Sequence, residues 1–156
     1  MLPILDRAVG YVAAACASEL SVLSRLPIAG RMVRSAFRLL CPRDRLVWIR
    51  VKRGAAENIW LQIHPRVGAE YWKGTAEIRV QQALMKYVRP GMTVYDIGAN
   101  FGFFTLIAAR LVGERGRVFA FDPEPECISR IQAGVCRNGM DNVCVVRAAV
   151  WSGRGE

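Results

Sequence analysis

From residue 93 onward the apolar positions alternate between two periods. Thr93 to Ile97 is a short β-rich run, and then Phe104, Ile107, Ala108 and Leu111 recur at i, i+3, i+4 and i+7, the spacing of one helix face. That pattern predicts a strand over 93–97 and a helix over 101–112, with Gly113 as its stop signal. A second strand is expected over Arg117 to Phe121. A helix over 125–138 then ends at Asn138 and Gly139, and a third strand covers Asn142 to Arg147. Strands alternating with helices predict an α/β fold with a parallel sheet. Upstream, LVWIRV at 46–51 and IWLQI at 59–63 flank a Gly-containing turn and read as a β-hairpin, with Trp48 and Trp60 as neighbours.

The first forty residues carry a different pattern. Ala8 to Ser18 is apolar and small, but Asp6, Arg7 and Glu19 bracket about eleven residues, too few to cross a bilayer core of about 30 Å. A signal peptide stays open as a reading, since the short apolar run ends near Ala-Ala-Cys-Ala-Ser, although Asp6 cancels Arg7 and removes the expected positive start. Pro27 and Gly30 separate it from a second helix near Ile28 to Leu40, with Arg31, Arg34 and Arg38 on one face and Met32, Val33, Phe37 and Leu40 as apolar bulk. The expected role of that stripe is packing on the helix's own domain, and contact with an anionic membrane surface is the alternative.

The chemistry concentrates at VYDIGANFG, residues 94–102. Gly98 lets the backbone bend and leaves room for a ligand, Asn100 tolerates left-handed torsions, and Gly102 lets the new helix sit close to the strand. A dinucleotide site needs Gly-x-Gly-x-x-Gly, so that amides at a helix N-terminus surround a pyrophosphate, yet Asn100 and Phe103 stand where the second and third glycines would fall. Asp96 beside the turn repels a pyrophosphate and suits a cation. S-adenosylmethionine carries a sulfonium and an ammonium and no phosphate. Asp122, 24 positions after Gly98, has the place and the oxygens to accept hydrogen bonds from both ribose hydroxyls of an adenosyl or dinucleotide ligand. Its alternative is to cap the helix that follows Pro123, Glu124, Pro125 and Glu126.

The text RPGMTVYDIGANFGFFTLIAARLVGERGRVFAFDPEPE at 89–126 and NGMDNVCVVRAAVWSGRGE at 138–156 resembles the FkbM-type methyltransferases, and YWKGTAE at 71–77 resembles that family's lead-in. The resemblance implies a Rossmann-like class I methyltransferase sheet using S-adenosylmethionine. It places Asp96, Gly98, Asn100 and Gly102 around the methionine end of the cofactor and Asp122 on the ribose, where the family often has Glu. Glu77 also approaches the cofactor on this reading, its alternative being an acid in the first turn of a helix capped by Thr75. The implied reaction is methylation of a hydroxyl on a small molecule or sugar. The family's sheet continues past the third strand, so the expectation is a truncated chain with little activity alone, organised as an N-terminal helical and hairpin extension, 1–70, and a partial cofactor domain, 71–156.

Charge and cysteine content adjust this picture only slightly. The net charge is +9, and residues 1–53 hold ten basic against three acidic side chains, a positive field able to attract nucleic acid, anionic lipid or an acidic substrate. A solvated basic face is the commoner origin of such a bias, so nucleic acid is not expected as a partner. Cys16, Cys41, Cys127, Cys136 and Cys144 form no Cys-x-x-Cys pair, and His64 is the one histidine, so neither a disulfide framework nor a zinc site is indicated. Thiols serving as small buried hydrophobes in a reducing cytoplasm are the simplest inference. His64 has no acid near it in sequence and reads as a surface or hydrogen-bonded residue. A nicotinamide-dependent oxidoreductase, and a basic nucleic-acid or membrane-surface protein with a non-catalytic scaffold, remain the alternative functions.

Overall fold

The alternation at 46–63 does produce a hairpin. In a computed structural model that describes residues 46–64 and 69–153, Val47–Arg50 (β1) and Trp60–Ile63 (β2) pair antiparallel, with Val47 opposite Ile63 and Arg50 opposite Trp60. Val47, Ile49, Leu61 and Ile63 point to one face and are buried. Trp48 and Trp60 share the other face, and the Arg137 guanidinium lies 4.6 and 4.5 Å from their ring centres. The two tryptophans are thus neighbours about a shared cation.

Two helices follow, Ala69–Lys73 (α1) and Ile78–Tyr87 (α2), and then the predicted alternation: Thr93–Ile97 (β3), Phe103–Val112 (α3), Arg117–Asp122 (β4), Pro125–Asn138 (α4) and Val143–Arg147 (β5). The three later strands form a parallel sheet in the order β3-β4-β5, with Thr93 beside Arg117 and Val118 beside Val143. Helix α3 starts two residues later than its apolar spacing suggests. Asn100 (φ 52°) and Gly102 (φ 85°) are left-handed, which holds that stretch in a turn.

Both crossover helices lie on one face of the sheet, as right-handed connections between adjacent parallel strands require. Ala108, Ala109 and Val112 of α3 pack on Val118, and Ile131 of α4 packs with Ala120. The hairpin covers these helices in turn: Ile49, Val51, Ile59 and Leu61 share a core with Trp72, Ala76, Phe103, Leu106 and Ile107. The Asn138 side chain finishes the edge of β2, accepting the Trp60 N–H at 2.8 Å and donating to the Trp60 carbonyl at 2.8 Å. On the opposite sheet face Tyr95 stacks on Phe119 at 5.4 Å and stays 64% exposed, with Ile97 62% exposed beside it. Among the described residues nothing covers that face.

The cysteine expectation is corrected here. Cys136 and Cys144 are exposed and Cys127 is half-buried, because the first lies on the outer side of α4 and the second on the bare sheet face. Cys16 and Cys41, the two expected N-terminal helices and the basic run up to residue 45 lie outside the described residues. No described helix is long and apolar enough to cross a membrane.

The turn around Gly54 and the loop around Gly74 nest backbone to backbone. A Cβ on Gly74, at φ 75°, would sit 1.8 Å from the Arg53 carbonyl oxygen, whereas one on Gly139, at φ 62°, would meet nothing within 4 Å. Gly139→Ala is therefore expected to cost only the left-handed penalty of about 1–2 kcal/mol, and Gly74→Ala to cost clearly more, measured side by side by urea unfolding.

Candidate functional site

The carboxyl ends of β3 and β4 are joined by hydrogen bonds that shape the glycine turn. The Phe121 carbonyl accepts the amides of Gly98 and Ala99, both at 2.9 Å, and Gly102 N–H donates to the Ala99 carbonyl at 2.9 Å. Asp122, 7% exposed, accepts the Asn100 amide on Oδ2 at 2.8 Å and the Glu124 amide on Oδ1 at 3.0 Å. Each carboxylate oxygen has a second lone pair, so Asp122 keeps acceptor capacity after making the turn. Its capping alternative is realised only as this bond to Glu124, the N-cap of α4.

Asp96 sits on the same sheet face and accepts the Thr105 hydroxyl at 2.5 Å. Burial pushes its carboxyl above the usual carboxylate range, the Thr105 bonds partly oppose this, and the neighbouring Asp122 charge adds to it. Gly98 (φ 73°) faces open space where a side chain would be, which leaves the backbone accessible. Asn100 is exposed, and its Oδ1 lies 3.7 Å from the Cys127 thiol. Burial, then Asp122, pushes that thiol up. Gly102 departs from its expected role: a Cβ there would meet the Ile131 side chain at 3.1 Å, so the close approach it permits is to α4 rather than to the strand.

Glu77 precedes α2 and is itself left-handed, φ 45° and ψ 48°. The reading of it as a first-turn acid under a Thr75 cap is corrected, since α2 begins at Ile78 and the Thr75 hydroxyl donates back to the Glu70 carbonyl at 3.5 Å. The structure brings Glu77, Gly98 and Asn100 to one cavity of about 230 Å³, closed by Tyr71, Phe101, Phe103 and Phe104. Asp96, Gly102 and Asp122 do not line it and shape its turn from behind. The Tyr71 ring meets Phe101 and Phe103 edge-on at 5.1 and 4.9 Å, and burial, then Glu77 and Glu70, holds its phenol protonated above the ordinary range. Glu77 is the one formally charged residue of the lining, and no Arg or Lys is among it. The volume is below the ~300–1,000 Å³ of pockets that enclose a whole drug-sized ligand, so it suits one end of a ligand.

Three residues of this neighbourhood carried no local signal. Gln81 is fully buried behind Glu77. Arg130 stacks on Phe101 at 4.8 Å and donates to the Gln62 carbonyl at 2.8 Å. Glu126 lies 3.9 Å from His64 Nε2, the acid partner that chain proximity did not offer. A larger depression, about 570 Å³, lies at the opposite sheet edge by Arg117, Asp141 and Asn142, away from the carboxyl ends where parallel sheets place their ligands.

Known proteins resemble parts of this chain. An arsenite methyltransferase from Halobacterium salinarum is 43% identical over 54 residues, which is 35% of this chain and 14% of that protein. A ribosomal RNA large subunit methyltransferase E from Alkalilimnicola ehrlichii is 39% identical over 66 residues, 42% of this chain and 31% of that protein. Among solved structures, a SAM-dependent O-methyltransferase from Thermotoga maritima superposes with a TM-score of 0.45 at 18% identity, covering 74% of this chain and 44% of that one. The chain thus spans less than half the length of each. The family model described as protein-L-isoaspartate(D-aspartate) O-methyltransferase matches residues 42–155, and the chain belongs to that family of class I methyltransferases, whose cofactor is S-adenosylmethionine.

Proposed function

We propose that this chain holds the cofactor of an S-adenosylmethionine-dependent methyltransferase of FkbM type that acts on a hydroxyl of a small molecule or sugar. One observation carries the cofactor reading. The amides of Gly98, Ala99, Asn100 and Gly102 are already donated to protein acceptors, and a pyrophosphate site depends on free amides at such a turn. Acids surround the turn as well, with Glu77 in the lining and Asp96 and Asp122 behind it. The residues present therefore fit a cationic nucleoside and not a dinucleotide, against the oxidoreductase alternative.

When bound, S-adenosylmethionine supplies an electrophilic methyl group on a sulfonium. The chain's own part is to hold and orient. Glu77 would accept the N–H groups of the ligand ammonium, the open backbone at Gly98 would border the methionine end, and Asp122 would accept the ribose hydroxyls with its remaining lone pairs. Fixing the methyl donor is the larger share of the catalytic task in an in-line transfer. The acceptor class rests on the FkbM resemblance, whereas the ribosomal RNA relative and the ten basic side chains of residues 1–53 favour a nucleic-acid acceptor as the second reading.

Calorimetric titration is expected to show saturable S-adenosylmethionine binding and none of NADH; the reverse result overturns the cofactor reading. Asp122→Asn is expected to weaken S-adenosylmethionine binding roughly tenfold or more, the scale of a charge-assisted hydrogen bond. Strongly salt-dependent RNA binding, lost on deleting residues 1–53, would instead favour the nucleic-acid acceptor.

Asp96 gives a pH-dependent outcome. Its carboxyl is raised above the ordinary 3.8 by burial, so the folded chain holds that proton more tightly than the unfolded chain. The stability this group contributes is full below the unfolded value and is lost as pH climbs through the raised folded value. Asp96→Asn should raise the melting temperature of the ligand-free chain at pH 7, lose that advantage at acid pH, and weaken S-adenosylmethionine binding. Thermal unfolding across pH, with and without ligand, reads all three.

A further inference from the structure

We propose that Gln81 is a positioning residue for the cofactor site: it sets Glu77 against the cavity, and through it the β1–β2 hairpin becomes part of the cofactor-binding unit. The proposal rests on the cofactor reading above.

Gln81 is the fully buried polar side chain of α2, one helical turn after Glu77. Its Nε2 donates to the carbonyls of Gly74 at 3.1 Å and Ala76 at 2.7 Å, and its Oε1 accepts the Ala55 amide at 3.1 Å. One side chain thereby ties the hairpin turn to the residues that deliver Glu77. The same junction is drawn tight by Lys52 N–H on the Trp72 carbonyl at 2.9 Å and by Arg53 Nε on the Lys73 carbonyl at 3.2 Å. Buried amides without a partner are costly, so this network favours one arrangement strongly.

The arrangement holds Glu77 in a conformation that a glutamate avoids. Left-handed torsions disfavour any residue with a Cβ, and such outliers persist only where the surroundings over-determine them. Glycine would relax the backbone at position 77. Glutamate instead places a carboxylate in the wall of a cavity that holds no other formal charge. The amides of Val80 and Gln81 bond the Glu77 carbonyl at 2.9 and 3.2 Å, so the α2 helix is built directly on the strained residue. Strain at Glu77, the buried lock at Gln81 and the cavity that Glu77 lines point to a single device for presenting one carboxylate to a cationic ligand.

A double-mutant cycle tests it, using S-adenosylmethionine as the probe in calorimetry on the full chain. Gln81→Met and Glu77→Gly are each expected to weaken binding several-fold, and the double variant to bind no worse than Glu77→Gly alone. Glu77→Gly should melt no lower than the parent chain. Equal losses that multiply in the double variant, or parental affinity in folded Gln81→Met, would overturn the proposal. Should Gln81→Met fail to fold, Gln81→Glu takes its place, keeping the acceptor for Ala55 and removing both Nε2 donations. If Gln81→Met binds like the parent while Asp122→Asn does not, the positioning role falls and the cofactor reading stands. If the parent chain itself shows no binding, amide exchange decides the lock: unchanged protection of Ala55 and Val80 in Gln81→Met refutes it.

Discussion

The structure depends on the way the end of β4 satisfies the turn that leaves β3. The Phe121 carbonyl and the Asp122 carboxylate together accept three consecutive amides, those of Gly98, Ala99 and Asn100. Buried backbone donors need partners, and here strand β4 supplies them in place of a ligand. The turn consequently offers none of these three amides to a phosphate. Asp122, one residue of β4, thus ties the turn to the start of α4 through its two oxygens. The register that sets Ile97 beside Phe121 brings these groups together.

Around that junction the molecule is built in layers. The sheet carries α3 and α4 on one face, and the hairpin closes over those helices with Ile49, Ile59 and Leu61 in a core shared with Leu106 and Ile107. Arg130 and Asn138 of α4 both reach back to the β2 backbone. Arg130 also stacks on Phe101 inside the glycine turn, so the hairpin bears on the turn through one guanidinium. The opposite sheet face, with Tyr95, Phe119 and Ile97, has no cover among the described residues and presents an apolar surface of the kind proteins use for contact.

Negative charge at the site has a structural cost that its proposed ligand would offset. Asp96 is held above its usual titration range by burial, close to a second carboxylate. Glu77 adds backbone strain to the account. Raised carboxylates and strained torsions of this kind concentrate at functional sites, which supports the proposed cofactor role.

The order of β3, α3, β4, α4 and β5, and their extent to within two residues, were legible in the sequence because hydrophobic period and terminal glycines are local properties. The left-handed Asn100 and the acid-flanked turn were legible for the same reason: torsional preference and charge belong to the residue. Tertiary structure decided the rest. Helix α4, not the strand, is what Gly102 accommodates, and Thr75 does not cap the helix after Glu77. Gln81 carries no local signal, and only folding shows it buried among backbone groups of Ala55, Gly74 and Ala76. Glu126 met His64 from far along the chain. A sequence encodes what each residue prefers near itself, whereas hydrogen-bond partners and burial arise between segments and exist only once those segments have packed.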